Sequence, residues 1–600
     1  MPAAGPPGSM IELTLQALNK GIPFRTEISQ PSEKVLKGQA RGLWNALIIL
    51  IDFPDYRWDH QSDPNFPNAD SIYTLEHFNE MLFSLDTYKD PYSLSDTTGS
   101  MRDFYLENSY GQFDLQGVTT AWYTASQPLS FYANNDSING STDDYGLGPY
   151  PHNAQRLVEE AVQSADPDVD FSEFDNNGDG FVDALFVVHA GPGAEEIYSQ
   201  NFPEHYNYLW SNKFLITADT LDGVLVSDYT LEPENGTIGV FCHEFGHELG
   251  LPDLYDTDGS SEGLGEWGLM GSGGWCHRAG DQLGTSPAHF SAWSKARLGW
   301  LEPINVTENL THQVVPPVES NPVAYRLWRD GEVGGEYFLL ENRQNIGFDV
   351  GLTRRQKDFD FLDANGLIIY HVDNQGNQGN ESRRLIDVEE ASPYFSEDQI
   401  TEQLDLVRYI PFHQLLFNGN RGDNGDPFPG YSQINEDTTD FVGPRDRTVF
   451  DDSSIPNSND NDGFPTFVSV SNIQIDGENI IADLTISPVT LVRDYSDTGS
   501  LLQPLNFELA QNYPNPFNPT TKIQFTVPNF AQNGTTVQIN IYNTAGQLVR
   551  TLVDEIKQPG VHTVTWDGTD NKNEKLASGI YVYQLKAAQF TQAKKMILTK

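Results

Sequence analysis

Hydrophobic residues along this chain change spacing several times, and the changes outline its architecture. The densest run, Ala46 to Ile51 within LWNALIILIDF, is far too short to cross a bilayer and predicts a strand buried on both faces, over Asn45 to Phe53. Helical spacing predicts helices near 72–84, near 100–109 and over His152 to Ser164, and apolar runs predict strands over Phe181 to His189 and Gly223 to Thr230. Another helix starts after Thr237, a residue suited to capping it, and carries Ile238, Val240 and Phe241. It ends at Gly250, which readily turns left-handed, and Pro252 cannot continue it. Thr285 to Trp300 predicts the helix that closes this region. Strands alternating with helices predict an α/β domain over 43–300, with a twisted sheet against the 237–250 helix. The Gly223 to Thr230 strand is expected near a cleft, where an extended peptide could add as a further strand.

Past residue 300 the helical spacing stops. Short apolar runs at Glu336 to Glu341, Gly366 to Val372, Thr466 to Val470 and Ile480 to Ile486 are bounded by Asp, Asn, Gly and Pro, so 301–490 is expected to be β-rich. The Asp- and Asn-rich loops Gly422 to Gly430 and Asp451 to Gly463 read as solvated turns. A polar linker, 491–505, precedes a unit over 506–600 with strands at Thr521 to Val527, Thr536 to Tyr542, Leu548 to Val553, Gly560 to Trp566, Gly579 to Leu585 and Gln592 to Leu598. That density of short strands predicts an immunoglobulin-like β-sandwich. Residues 1–42 are a polar, proline-punctuated leader. The fold class expected is multidomain, α/β plus all-β.

The chemistry concentrates in the 237–250 helix. HExxHxxGxxD, from His243 to Asp253, places two imidazoles one turn apart on one helix face with Glu244 leaning toward the same side. After the turn at Pro252, Asp253 can fold back as a third ligand, although Asp256, Glu262 and Glu266 are also within reach in sequence. Two neutral imidazoles and a carboxylate suit a catalytic Zn2+, which needs an open fourth position for water. Glu244 is then the base that takes a proton from zinc-bound water attacking a peptide carbonyl and delivers it to the leaving amine. Met270, in Gly268 to Gly273, falls where a methionine turn would pass beneath the metal.

A second signal is DNNGDGFVD. Side-chain oxygens of Asp175, Asn177, Asp179 and Asp183 and the Phe181 carbonyl could surround a structural Ca2+, with Gly180 permitting the turn. Phe186 stands where an EF-hand carries its bidentate Glu, so a partial site is expected, with an Asx-rich turn without metal as the alternative. Cys242 precedes His243 and Cys276 follows the methionine-turn segment, two elements expected to pack together around zinc. A disulfide between them is therefore expected, two buried thiols being the alternative.

HEFGHELGLPDLYD and GEWGLMGSGGW resemble the immune inhibitor A family of secreted, metzincin-like metallopeptidases. SPAHFSAWSKARLGWLEP (286–303), FYLENSYGQF (104–113) and EYFLLENRQ (336–344) extend the resemblance over about 43–485. It implies a zinc endopeptidase with Glu244 as base and His243, His247 and Asp253 as ligands, acting on extracellular proteins or peptides. The leader resembles a prosegment remnant, in which Glu27 or Glu33 could block zinc. QNYPNPFNPTTKI, IYNTAGQLVRTL, WDGTDNKNEKLASGIYVYQL and the terminal KKMILTK closely resemble the C-terminal sorting domain of type IX secretion cargo, itself similar to the immunoglobulin-like domain of flagellar hook-capping proteins. This implies export by a Gram-negative bacterium, engagement of the outer-membrane secretion machinery, and release or attachment at the cell surface.

Charge and hydropathy narrow the partners. Lys and Arg total 35 against 85 Asp and Glu, a net charge of −50 that argues against nucleic acid, whose phosphates would be repelled. No transmembrane segment is predicted, no signal peptide is visible in the first forty residues, and a monomer is expected. A non-catalytic adhesin on the same scaffold would be expected to have lost the base or a ligand, and both are present. A zinc hydrolase acting on another amide remains open.

Overall fold

The computed structural model of the protein describes residues 40–59, 73–91, 99–133, 145–194, 207–256, 261–278, 280–353, 355–356, 359–360, 365–378, 383–392, 422, 425–431, 433–434, 441–463, 465–486, 507–509, 512, 515, 517–528, 534–544, 546–558, 560–572, 574–588 and 590–599. Nearly all of the leader, with Glu27 and Glu33, and the whole 491–505 linker lie outside them. The chain divides into two compact units, 1–489 and 490–600.

The first unit is built on a five-stranded sheet. Its strands are β1 (Gly42–Asp52), β2 (Phe113–Thr124), β3 (Leu185–His189), β4 (Asn212–Asp219) and β5 (Leu225–Pro233), in the order β2-β1-β3-β5-β4. All neighbours pair in parallel except β4, which runs antiparallel to β5 at one edge. Alternate residues of the apolar run in β1 face opposite cores. Ala46, Ile48 and Leu50 meet α1 (Leu75–Phe83) and α2 (Met101–Asn108), whereas Leu47, Ile49 and Ile51 meet α3 (Leu129–Ala133) and α4 (Ala154–Ala165). Burial on both faces is why the run carries no polar residue. A helix N-terminal to β1's partner is held by a full capping box: Ser100 and Asp103 satisfy each other's backbone N–H at the start of α2.

Helix α5 (Ile238–Glu248) follows β5 and packs on the first of these cores through Ile238, Phe241, Cys242 and Phe245. Two local expectations need correction. The strand over 225–233 has β3 on one side and β4 on the other, so it is an interior strand; among the described residues β4 is the edge strand on that side. The closing helix, α6, spans only Ala292–Arg297, capped by Ser291. Pro287 lacks an N–H, and the backbone before α6 is committed elsewhere: Ser286 N–H donates to Cys276 O at 3.2 Å and Ala288 N–H to Gly273 O at 2.9 Å, while His289 O accepts from Leu269 N–H at 3.1 Å.

The described residues of 301–486 are mainly β-structure. β6 (Ile304–Asn305), β7 (Leu310–Val315), β8 (Tyr325–Leu327), β9 (Glu336–Arg343), β12 (Gly366–Asp373), β13 (Ile386–Val388), β16 (Ser469–Asp476) and β17 (Asn479–Thr485) form sheets ordered β13-β12-β9-β8-β6 and β16-β17-β7. Two small ribbons, β10 (Arg355–Gln356) with β11 (Phe359–Asp360) and β14 (Gln433–Ile434) with β15 (Phe441–Val442), are inserted. Phe338, Leu340, Ile368 and Tyr370 from this region join the same buried cluster as α5.

In the second unit, β18 (Glu508–Leu509), β19 (Thr521–Val527) and β22 (Gly560–Trp566) make one sheet. β20 (Thr535–Asn543), β21 (Leu548–Lys557), β23 (Gly579–Ala587) and β24 (Phe590–Leu598) make the other. Ile523 and Phe525 of the first sheet and Ile539, Ile541, Tyr583 and Leu585 of the second fill one core around Trp566, the sandwich expected from the strand spacing.

Candidate metal centre

The helix bearing His243 and His247 is seated by close backbone contacts. Thr237 occupies the N-cap position, but its hydroxyl donates to Leu283 O at 2.8 Å instead of accepting from the helix. The Gly239 N–H is satisfied by Gly284 O at 2.9 Å, and any side chain at Gly239 would run into the Gly274 carbonyl. Gly250 takes φ 87° and ends the helix. Leu251 N–H then donates to Gly246 O at 3.1 Å, and Leu254 N–H to Met270 O at 2.8 Å, which brings Asp253 back under α5.

His243 and His247 present their rings nearly at right angles, with centroids 5.0 Å apart. Their Nδ1 atoms lie 3.0 Å from Leu269 O and 2.9 Å from Leu251 O. A carbonyl only accepts, so each Nδ1 carries a proton, which leaves Nε2 as the ring atom that can turn to a proton or a metal. Both Nε2 atoms face the same Asp253 Oδ1, at 3.3 and 3.2 Å. The two Nε2 atoms and the Asp253 oxygen converge favourably only around a proton or a metal ion. Among the described residues, this is the only group of three or more His, Cys, Asp and Glu residues whose ligand atoms all lie within 4.8 Å of one another. Asp256 is engaged elsewhere, accepting from Ser261 N–H and Oγ–H at 2.8 Å each, and neither it nor Glu262 nor Glu266 joins the group.

The electrostatics fit the same arrangement. Burial would raise the Asp253 carboxyl, but the two imidazoles override it and hold the group well below the usual carboxylate range. Burial opposes charge on His247, yet the Asp253 carboxylate keeps its pKa up at about 9, so a proton competes for the place a metal would take. Glu244 is pushed upward by burial and drawn back by His243 and His247, a balance suited to a group that must both take and give a proton.

Met270 is fully buried directly beneath α5, where Gly246 leaves room for its sulfur. Three neighbours escaped the sequence reading. Tyr255 stacks on His243, with centroids 6.2 Å apart and planes 18° apart, and its hydroxyl bonds to Asp253. Its spacing of two residues from Asp253 was the available signal. Lys213, on β4, pairs with Asp228 at 2.8 Å. Close by, Glu248 is pushed up to about 8 by burial, against the attraction of Lys213.

Elsewhere the expectations fare differently. Asp175 accepts from the N–H groups of Gly178, Asp179 and Gly180 at 2.8, 3.0 and 2.8 Å. Asn177 accepts from Asp179 N–H, Asp179 from Phe181 N–H, and Asp183 from Asn176 N–H at 2.6 Å. Burial, and next the charges of Asp179 and Asp175, raise Asp183 to about 6 against that Asn176 bond. The expected Cys242–Cys276 disulfide is absent. Both thiols are fully buried in the same apolar core without a bridge, and burial pushes the Cys242 thiol well up, the behaviour of a small hydrophobic side chain.

An α/β sheet with an antiparallel edge, a two-histidine helix and a methionine packed beneath it are the features expected of a metallopeptidase catalytic domain. Residues 32–301 match the family model for the immune inhibitor A peptidase M6 catalytic domain, and 515–590 match the FlgD Ig-like domain. The chain is 32% identical over 278 residues to the pre-pro-metalloprotease PrtV of Vibrio cholerae serotype O1, covering 42% of this chain and 29% of that protein. It is 28% identical over 307 residues to immune inhibitor A of Bacillus thuringiensis subsp. alesti, covering 46% and 42%. The chain thus spans less than half the length of these curated relatives. Among solved structures, dimeric latent PorU from Porphyromonas gingivalis aligns over 20% of this chain and 11% of its own at 19% identity, with a TM-score of 0.14, too low to carry an argument.

Proposed function

We propose that this protein is a secreted zinc endopeptidase that hydrolyses extracellular proteins, with His243, His247 and Asp253 holding the metal and Glu244 as general base. The observation that carries this reading is the convergence of two Nε2 atoms on one Asp253 oxygen. When bound, zinc supplies Lewis-acid polarisation of water and of the scissile carbonyl. Glu244 takes the proton of the attacking water and passes it to the leaving amine nitrogen. The outer edge of β4, with Lys213 beside α5, is where an extended substrate would add as a further strand.

The same reading assigns 1–42 to a prosegment remnant, 43–300 to catalysis, 301–490 to a β-rich domain and 506–600 to type IX sorting. A FlgD Ig-like match and the sequence resemblance of its strands support the last of these. Among the described residues no helix is long and apolar enough to cross a membrane. Asp175, Asn177, Asp179, Phe181 and Asp183 are assigned a structural Ca2+, supported by the rise of Asp183 under burial and, after it, the charges of Asp179 and Asp175. Glu244→Ala tests the mechanism: casein hydrolysis should be abolished with zinc still bound, and retained hydrolysis would refute the role of Glu244.

A further inference from the structure

Two carbonyls beside the metal centre are held by residues far outside the stretch that matches the peptidase family model. Leu254, the residue after Asp253, accepts at its carbonyl from Gln378 Nε2 at 3.0 Å. Gln378 is buried in the connection between β12 and β13, where it also donates to Ile386 O at 3.0 Å and accepts from Ile386 N–H at 3.3 Å. Trp267, three residues before Met270, accepts at its carbonyl from Arg343 Nη1 at 3.2 Å and Tyr370 Oη at 3.3 Å. Its indole N–H donates to Asp426 at 2.8 Å. The turn bearing Asp253 and the turn bearing Met270 are also tied to each other through the Leu254 N–H bond to Met270 O.

Building on the zinc reading above, we infer that the β-rich region 301–486 completes the metal centre, with Gln378 as a positioning residue that fixes the Leu254 peptide and thereby the Asp253 carboxylate. The physical reason is local. Gly250 and Pro252 end the helix, and Asp253 lies in no helix or strand of its own. A carboxylate on such a turn reaches a fixed place only if the turn is tethered. The Leu254 N–H is tethered by Met270 and the Leu254 carbonyl by Leu264 N–H and by Gln378. The Gln378 amide, clamped at both ends by Ile386, is the tether supplied from outside the α/β domain. Arg343 is less useful as a probe, since it is fully buried against Glu341 and Asp349 and its removal would leave charges unpaired.

The test uses the full chain with Gln378→Met, which removes the donors and keeps the volume, and Gln378→Glu, which keeps an acceptor for Ile386 N–H and removes the donors. Val388→Ala, a buried truncation on β13, controls for general destabilisation. Zinc affinity is measured by competition with a chromophoric chelator, and ligand geometry by the visible spectrum of the Co2+-loaded protein. Both Gln378 variants should bind zinc about tenfold more weakly, the size of effect typical of groups that orient a ligand. Their cobalt bands should be altered, whereas Val388→Ala should match wild type in both readouts. Wild-type affinity and spectrum in the Gln378 variants would overturn the inference while leaving the zinc reading intact. So would an equal change in Val388→Ala, or failure of both Gln378 variants to fold, either of which would assign Gln378 to the fold alone. A wild-type protein that takes up no zinc would refute the zinc reading, and the inference with it.

Discussion

The sulfur of Met270 lies directly against the backbone of Gly246, so that a methyl group added at Gly246 would stand 2.5 Å from Sδ and 3.3 Å from Cε. Gly246 sits between Glu244 and His247 on α5, and the missing side chain lets the methionine turn approach the histidines from below. Gly246→Ala should therefore force the two elements apart, costing about 1–3 kcal/mol by overpacking. Thermal unfolding together with zinc content checks this, and unchanged values for both would show that the contact is not tight.

On the proposed mechanism, Asp253 serves binding and Glu244 serves chemistry. Asp253→Ala should leave the protein substoichiometric in zinc, because the two imidazoles lose their anionic companion, whereas Glu244→Ala should keep its metal. Metal analysis of the two purified variants distinguishes them. Full zinc in Asp253→Ala would place the third ligand elsewhere.

At the Asp175–Asp183 loop the sign of the pH dependence is fixed by Asp183, whose pKa stands raised at about 6. A carboxyl with a raised pKa contributes stability below its ordinary value, near 4, which is lost as pH rises through 6. Chelated wild-type protein should therefore lose stability between pH 4 and 6, and Asp183→Asn should lose less. Added Ca2+ at pH 7 should raise the melting temperature of wild type by several degrees and barely move the variant. Equal responses would leave the loop as an Asx-rich turn.

His371 gives the opposite pH window. Burial would lower its pKa, but hydrogen bonds to Glu336 at 3.0 Å and to Glu389, whose oxygen lies 3.4 Å away, raise it to about 10. A His with a raised folded pKa stabilises fully below about 6.5, and that contribution disappears as pH rises through 10. Wild type should lose on the order of 2–4 kcal/mol over this range that His371→Gln does not lose. Denaturant titrations at pH 7 and pH 10.5 make the comparison.

The two buried thiols give a simple chemical outcome. Dithiothreitol should leave the melting temperature unchanged, and Cys242 and Cys276 should react with iodoacetamide only after unfolding. A drop in stability on reduction would restore the disulfide.

Local rules made much of this protein legible before any coordinates. The apolar run in β1, the helix bearing His243 and His247, its stop at Gly250 and the strands of the C-terminal sandwich all follow from period, capping and turn chemistry within a few residues. What local rules could not decide was every feature set by partners distant in sequence. Pairing on both sides moved the sheet edge from β5 to β4, and bonds to Gly273 and Cys276 shortened the helix expected over 285–300 to Ala292–Arg297. Choosing among Asp253, Asp256, Glu262 and Glu266 depended on how one short turn is anchored by Met270 and by Gln378, 124 residues away. By itself, then, the sequence determined that His243 and His247 share one helix face, because i and i+4 spacing is a property of the helix alone. Only the tertiary structure decided which carboxylate stands beside the two imidazoles, because a residue outside regular structure is placed by whatever holds its backbone.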